Sequence, residues 1–247
     1  MNEKPILFNA EMVNAILSGR KTQTRRIISE KTLHLFGVAA SAGECHPLEM
    51  CDQRSQSYYL EFCPLGKTGD QLWVREAYRM AKSLDAHSPS VVAELSLNAG
   101  YKKPWAPIQL EADGTRIGKW TGFDTPPVLT EAGKLRPTLH MPRWASRINL
   151  LITGVRVERL NDISGQDAMA EGITAKEVII ETRYEGGGHV EITAERFFFV
   201  GGDDEGYESA EEAFAELWDS IYGQEEGDNW QANPWVWVIE FERMEAK

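Results

Sequence analysis

Apolar residues recur at helical spacing near the start of the chain and then give way to a strand pattern. One helical face carries four of them: Met12, Val13, Ile16 and Leu17. Asn9 is a favourable N-cap residue, and Gly19 suits the left-handed conformation that ends many helices. Residues 24–28 then predict a strand. The pattern therefore predicts a short helix that turns sharply into a sheet.

A second strand is predicted over residues 71–78, after a turn at residues 66–70. Leu72, Val74 and Tyr78 alternate onto one side of it, and Glu76 falls on that same side. Burying a carboxylate among apolar neighbours is costly unless it is paired. Glu76 therefore either meets an arginine or lines a cavity in the interior, or it lies at a strand end and reaches water. The pattern leaves both interpretations open.

The second half of the chain predicts five further elements. They are a strand over 147–160, a short helix from Ser164 to Gly172, a hairpin of 177–184 and 190–200, a helix from Ser209 to Gly223 and a strand over 235–241. The last strand is apolar on both sides apart from Glu240, which is typical of a central strand. Glu171 falls in the last turn of the short helix, where a carboxylate is disfavoured unless a cation or a function holds it.

Three stretches have the character of insertions, at residues 30–65, 80–137 and 174–207. The first lacks sustained periodicity, and the second is rich in Pro and Gly and contains Trp105 and Trp120. Aromatic residues in such a loop either stack on a base or, more often, pack the loop against its own domain. We predict a single domain over residues 1–247 that contains these insertions.

The charge balance limits the classes of partner. The formal net charge is -12, with 26 Lys and Arg residues against 38 Asp and Glu residues. Non-specific binding of nucleic acid depends on neutralising phosphates, so this balance argues against it and leaves room for a basic pocket. No apolar run approaches the roughly 18 residues that span a bilayer, so no membrane partner is expected.

The cysteines predict a cytoplasmic protein without a metal. Cys45, Cys51 and Cys63 are an odd number, and no signal peptide is visible, which argues against a disulfide framework. Together with His46 they offer ligands that zinc accepts, but the spacing lacks a Cys-x-x-Cys pair and a His pair. We therefore predict no metal and no cofactor.

Residues 19–26 concentrate the chemistry of the chain, with four cations, two hydroxyls and no acid. A turn after Gly19 would fold the Lys21 amine back towards the Thr24 hydroxyl. A lysine can activate a threonine as a nucleophile when burial and neighbouring cations lower the lysine pKa. A solvated basic turn explains the same residues, and the spacing alone does not decide between the two.

The pattern Gly-x-Lys-x-x-Thr-x-Arg, formed by Gly19, Lys21, Thr24 and Arg26, resembles the signature of ASCH domains, which are related to the PUA fold. Residues 67–74 are similar to the turn and strand that follow in that family, and residues 235–241 to its closing strand. The resemblance implies an α+β fold, a PUA-like (ASCH) mixed β-barrel with short flanking helices and, here, long loop insertions. The size and insertion pattern also resemble phage and prophage relatives.

The resemblance further implies an amidohydrolase that removes an acyl group from a modified cytidine or deoxycytidine, as ASCH amidohydrolases of N4-acetylcytidine do. Lys21 would be the general base and Thr24 the nucleophile. Glu171 falls where that branch carries its catalytic glutamate, and Arg26 would stabilise the oxyanion or hold the turn. The expected partner is a small nucleoside or a modified base.

Two other classes of function stay open. A PUA-like module would bind RNA, single-stranded nucleic acid or a modified base without turnover. Trp73 or Trp144 would stack on a base, and the phosphates would be contacted by Arg20, Arg25, Arg26, Arg143 and Arg147. A ribonuclease would need a His pair or a metal site, whereas the five histidines are scattered. The candidate substrate-binding residues are Arg20, Arg26, Trp73, Glu76, Arg143 and Trp144.

Overall fold

The apolar pattern resolves into six α-helices and ten strands within the residues that this computed structural model describes, 2–50, 52–117, 131–185 and 188–245. The helices are α1 (Ala10–Leu17), α2 (Glu30–Ser41), α3 (Gln53–Leu60), α4 (Pro89–Asn98), α5 (Gly165–Ala170) and α6 (Ala210–Tyr222). The strands are β1 (Glu3–Leu7), β2 (Gln23–Ile27), β3 (Gln71–Arg75), β4 (Tyr78–Met80), β5 (Ile108–Leu110), β6 (Arg116–Ile117), β7 (Asn149–Arg159), β8 (Thr174–Glu185), β9 (Gly188–Phe198) and β10 (Trp235–Arg243).

The start of the chain confirms the predicted passage from helix to strand. The Asn9 side chain caps α1 by accepting a hydrogen bond from the Met12 amide at 2.8 Å. Gly19 follows the helix with a φ of 78°, a conformation that side chains disfavour. β2 then begins at Gln23, one residue before the predicted strand.

Contacts along the chain divide it into two units. The first unit comprises Met1–Ser18, Gly69–Leu151 and Glu242–Lys247, and the second comprises Gly19–Thr68 and Ile152–Phe241. The stretch 80–137 lies in the first unit, whereas 30–65 and 174–207 lie in the second. The single domain with three insertions stays a prediction beside this division.

The first unit is built on strand pairs around β3. β1 pairs with β3 in parallel, and β3 pairs antiparallel with the start of β7. The predicted strand over 71–78 is wrong in extent, because β3 ends at Arg75 and β4 pairs with β5 in another sheet. The break falls at Glu76, which is 1% exposed and bonded to an arginine. The cost of burying that carboxylate is offset by pairing, and the chain leaves the strand there.

The second unit is organised around β10. This strand pairs antiparallel with β2, so that Trp237 lies opposite Arg26 and Ile239 opposite Thr24. β10 also neighbours β7, which confirms the predicted central strand. Phe214 and Trp218 of α6 pack with Val236 and Val238 in the core of this unit. β10 therefore both pairs with β2 and packs against the helices of this unit.

The last helix and the hairpin follow the predicted pattern with one exception. The Ser209 hydroxyl caps α6 by accepting from the Glu212 amide at 3.1 Å. Ile221 has the spacing of the apolar residues that α6 buries but is 44% exposed, because it lies in the last turn beyond the core. β8 and β9 form the predicted hairpin, whose Gly186 and Gly187 lie outside the described residues.

The sequence pattern missed the helices inside the stretches 30–65 and 80–137. Their apolar faces are too short to give a clear period, since α2 buries Phe36 and Ala39 and α4 buries Val92 and Ser96. Trp105 stacks on Tyr101 of the same loop at 5.2 Å, and its main-chain amide donates to the Ser96 hydroxyl of α4 at 3.1 Å. Trp120 lies outside the described residues.

The fold is α+β with parallel and antiparallel pairing, as predicted in outline. In the described part of the chain the strands form sheets of five, three and two strands, and no closed barrel is found there. None of the described helices has the length and apolar character that crossing a bilayer requires.

Candidate active site

Residues 19–26, the motif segment, carry their reactive side chains into the interior of the second unit. Lys21 is 2% exposed and Thr24 is 1% exposed, whereas Thr22 between them is exposed. The Thr22 amide donates to the Ala170 carbonyl at 2.9 Å, which joins the segment to the end of α5. Arg25 is buried as well, so the alternative of a solvated basic turn is wrong for Lys21 and Arg25.

α5 places Glu171 against the motif segment. The Ser164 hydroxyl caps the helix by accepting from the Asp167 amide at 3.2 Å. Gly172 has a φ of 114°, so the helix stops there and Glu171 becomes its C-cap residue. A carboxylate at this end of a helix is disfavoured unless a cation holds it, and the structure supplies that cation in Lys21.

Lys21 and Glu171 form a buried ion pair. The Lys21 ammonium donates to Glu171 Oε2 at 2.6 Å and to the Glu171 carbonyl at 2.8 Å. Their side chains are 1% and 4% exposed. Burial lowers the pKa of Lys21 from its ordinary value of 10.5, the Glu171 carboxylate acts in the opposite direction, and Arg26 and Arg25 lower the pKa further. The pair therefore holds a lysine from which a proton is removed more easily than in water.

Thr24 is held by Arg26, two residues further along the same strand. Arg26 Nη1 donates to Thr24 Oγ1 at 2.8 Å and to the Arg25 carbonyl at 2.9 Å. A hydroxyl has one donor and two acceptor positions, so this bond leaves the Thr24 proton available to a base. A cationic donor on the oxygen also favours its anionic form.

Arg25 lies among three carboxylates and is fully buried. Its Nη1 donates to Glu171 Oε1 at 3.1 Å, and its Nη2 donates to Glu158 at 2.5 Å and Asp167 at 3.4 Å. The guanidinium also lies over the Phe214 ring at 5.7 Å. The binding hypothesis placed Arg25 on phosphate, but its guanidinium is instead occupied by carboxylates of its own unit.

Further polar groups complete what we call the Arg25 cluster: Gln23, Arg25, Arg156, Glu158, Asp167 and Glu171. Arg156 donates to Glu158 at 2.9 Å and to Asp167 at 2.8 Å. The Gln23 amide, oriented by these neighbours, accepts from Arg25 at 2.7 Å and donates to Asp167 at 3.2 Å.

Sequence reasoning missed the partners of Arg25, because they lie on β7 and α5, more than 130 positions along the chain. One signal was visible. Glu158 is the single acid in the arginine-rich stretch 137–160, which is the pattern expected of a carboxylate that pairs with buried arginines.

Glu76 is buried and pairs with an arginine, as the first of its two interpretations predicted, and does not reach water at a strand end. Within the first unit, Arg147 Nε and Nη2 donate to the two Glu76 oxygens, each at 2.9 Å. Arg147 also donates to Asp113 at 2.8 and 3.0 Å. This hydrogen bonding holds the pKa of Asp113 well below its ordinary value of 3.8.

The remaining candidate binding residues have partners within the protein. Arg143 donates to Glu3 at 2.5 Å and to Asn149 at 2.8 Å. Two guanidinium groups lie over the Trp73 ring, those of Arg75 at 4.7 Å and Arg143 at 5.8 Å. The half-buried Trp144 packs against the apolar cluster that contains Tyr78 and Met141.

The predicted site residues thus divide between the two units. Lys21, Thr24, Arg26 and Glu171 lie in the second unit, as does the exposed Arg20, which contacts the Gly172 carbonyl at 3.4 Å. The first unit contains Trp73, Glu76, Arg143 and Trp144.

No group of three or more His, Cys, Asp or Glu side chains is arranged to hold a metal ion in the described ranges. Cys51 lies outside those ranges. Comparison with family models, with curated proteins and with solved structures gave no significant match. The resemblance to ASCH domains therefore rests on the motif residues themselves.

Proposed function

We propose that the protein is an amidohydrolase that removes an acyl group from the exocyclic amine of a cytidine-like nucleoside. The observation that carries the proposal is the buried pair of Lys21 and Glu171, since a lysine with a lowered pKa is the group that a threonine nucleophile needs as its base. Thr24 is buried three residues further on and accepts a hydrogen bond from Arg26.

In the first step the neutral Lys21 amine takes the proton of the Thr24 hydroxyl as Thr24 Oγ1 attacks the acyl carbonyl carbon. The attack forms a tetrahedral oxyanion. Arg26 stabilises the negative charge that develops on the threonine oxygen, because it already donates to Oγ1 at 2.8 Å. The cost of forming an alkoxide in a buried site is thereby reduced.

In the second step the carbon–nitrogen bond breaks and the Lys21 ammonium returns the proton to the departing amine. This leaves free cytidine and an acyl ester on Thr24. Lys21 then takes a proton from water as that water attacks the ester, and the proton passes to Thr24 Oγ1 when the carboxylic acid leaves. Glu171 orients the Lys21 amine through both reactions by means of the 2.6 Å hydrogen bond.

The charges around the candidate residues favour a small uncharged substrate. Arg25 is held by three carboxylates, Arg143 by Glu3, and Arg147 by Glu76 and Asp113. Arginines that are already paired gain less from contact with phosphate than arginines in water do. The acidic exterior, with a net charge of -12, acts in the same direction.

The test is hydrolysis of N4-acetylcytidine by the purified protein, followed by the change in ultraviolet absorbance as cytidine forms. Thr24→Val removes the hydroxyl with little change of volume, and we expect turnover to fall to background. Thr22→Val is the matched control, because Thr22 lies in the same segment, is exposed, and contributes its main-chain amide to the contact with Ala170.

Conversion by the wild type and by Thr22→Val, and its loss in Thr24→Val, is the expected result. Equal turnover by both variants would exclude Thr24 as the nucleophile. Absence of conversion by the wild type over a panel of N4-acyl cytidines and deoxycytidines would contradict the proposed function. Circular dichroism of each variant reports whether the fold is retained.

A further inference from the structure

The two oxygens of the Glu171 carboxylate are used by two different cations. Oε2 accepts from Lys21 at 2.6 Å, and Oε1 accepts from Arg25 at 3.1 Å. A carboxylate on a flexible side chain can rotate, so one contact alone would leave its plane undetermined. The two contacts together fix which oxygen faces the Lys21 amine.

Arg25 is itself held on several sides. Its other terminal nitrogen donates to Glu158 and Asp167, and its side chain is 0% exposed. The Gln23 amide accepts from the nitrogen that faces Glu171. The planar guanidinium fork therefore connects the carboxylates of Glu158 on β7 and Asp167 on α5 to Glu171, a geometry that a lysine ammonium does not reproduce.

We propose that Arg25 is a positioning residue for the reaction: it orients the Glu171 carboxylate towards Lys21, and its positive charge keeps the Lys21 amine in the state that accepts a proton. This inference rests on the proposed function for its catalytic meaning. The contacts on which it stands do not depend on the substrate.

The charges that face Lys21 are Glu171 at the end of α5 and Arg25 and Arg26 on β2. Asp167 on α5 and Glu158 on β7 bind the far side of Arg25. Removing the Arg25 charge takes away a repulsion on the ammonium and leaves Glu171 to Lys21 alone. Both changes raise the Lys21 pKa, because each favours the charged form.

A purely structural role for Arg25 makes a different prediction. Loss of a buried ion pair would weaken the fold without a specific effect on Lys21. Arg156 provides the matched control, since it binds Glu158 and Asp167 as Arg25 does. In the described part of the chain its ion pairs are with Glu158, Asp167 and Glu240, so it does not pair with Glu171. We therefore compare Arg25→Gln with Arg156→Gln.

The first readout is the Lys21 pKa, measured without substrate from the pH dependence of the lysine ¹³Cε signal and assigned by its loss in Lys21→Met. We expect Arg25→Gln to raise this pKa, because a neighbouring positive charge is lost, and Arg156→Gln to raise it less. No rise in Arg25→Gln, or an equal rise in both variants, would overturn the proposal.

The second readout is the pH dependence of kcat/KM with N4-acetylcytidine. At pH values below the pKa of a base, each unit of rise in that pKa lowers its neutral fraction about tenfold. Arg25→Gln should therefore lose activity on the acid side of the profile and regain it in alkaline solution. An equal loss at every pH would indicate a structural role and overturn the proposal.

Two safeguards keep the outcomes distinct. Wild-type protein without turnover would contradict the proposed function, while the ¹³C titration would still decide on Arg25. Arg25→Lys keeps the positive charge and is the test variant if Arg25→Gln does not fold. Its single ammonium cannot span Glu171 and Glu158, so the Lys21 pKa should rise by less than in Arg25→Gln, and an unchanged pKa would overturn the proposal.

Discussion

Glu171→Gln tests the energetics of the buried pair at the centre of the candidate site. The substitution keeps the shape of the side chain and removes its charge, so Lys21 is left 2% exposed without a counterion on that side chain. Removing one partner of a buried ion pair typically costs about 3–5 kcal/mol. The Glu171 carbonyl still accepts from Lys21, and Arg25 keeps Glu158 and Asp167. We therefore expect the free energy of unfolding to fall by about 3 kcal/mol at pH 6, near the lower limit of that range.

The stability difference between Glu171→Gln and the wild type should decrease as the pH rises. Burial already lowers the Lys21 pKa from 10.5, and the Glu171 carboxylate acts against this by raising it. Removing the carboxylate therefore lowers the Lys21 pKa further. Above its folded-state pKa the native lysine is neutral while the unfolded lysine stays protonated up to about 10.5, so the unfolded state binds more protons and stability rises with pH. This rise begins at a lower pH in Glu171→Gln than in the wild type. The difference between the two proteins therefore shrinks as the pH rises.

Urea denaturation of both proteins at pH 6 and pH 9, followed by tryptophan fluorescence, measures this difference. Glu216→Gln is the control, because Glu216 is exposed on α6 and its neutralisation should change the free energy of unfolding by no more than about 0.5 kcal/mol. A Glu171→Gln protein as stable as the wild type at pH 6 would refute the reasoning. So would a difference that is the same at both pH values.

Three other substitutions test features outside this pair. Asp113→Asn should lower the free energy of unfolding by about 1 kcal/mol at pH 7. Because Arg147 lowers the folded-state pKa of Asp113 from 3.8, this deficit should vanish when denaturation is measured at a pH well below 3.8. A deficit that persists in acid would contradict the assignment. Burial raises the pKa of Tyr78 to about 12, so alkaline titration at 295 nm should show a late-ionising phenol that Tyr78→Phe lacks, and an unchanged titration would be evidence against it. Ser209→Ala removes the N-cap of α6 and should cost about 1 kcal/mol in urea denaturation, whereas an unchanged midpoint would mean that the cap contributes nothing.

Local signals allowed much of the fold to be predicted. The cap at Asn9, the glycine at position 19 and the apolar run of β10 each act within a few residues, and the elements that they predict form. α2 and α4 were missed because each buries few side chains, and their stability comes from contacts that no short pattern contains. The strand predicted over 71–78 breaks at Glu76 for a similar reason, since its partner Arg147 is 71 residues away.

In the candidate site, too, local signals could be predicted from the sequence and long-range contacts could not. The motif and the end of α5 identified Lys21, Thr24 and Glu171 separately, and the structure joins Lys21 to Glu171 across 150 residues. Arg25 was interpreted as an additional cation available to phosphate. Its burial among carboxylates could not be predicted, because the sequence specifies neither which face of β2 meets α5 nor how β7 registers beside it.

The order of the elements along the chain has a consequence for synthesis of the protein. β2 is made early, but its only strand partner in the described part of the chain, β10, begins at Trp235, and the counterion of Lys21 arrives at residue 171. During translation the motif segment therefore emerges with an open strand edge and a lysine that still lacks its carboxylate. Such an edge is a template for wrong pairing, so mispairing of β2 is most favoured in the interval before β10 leaves the ribosome.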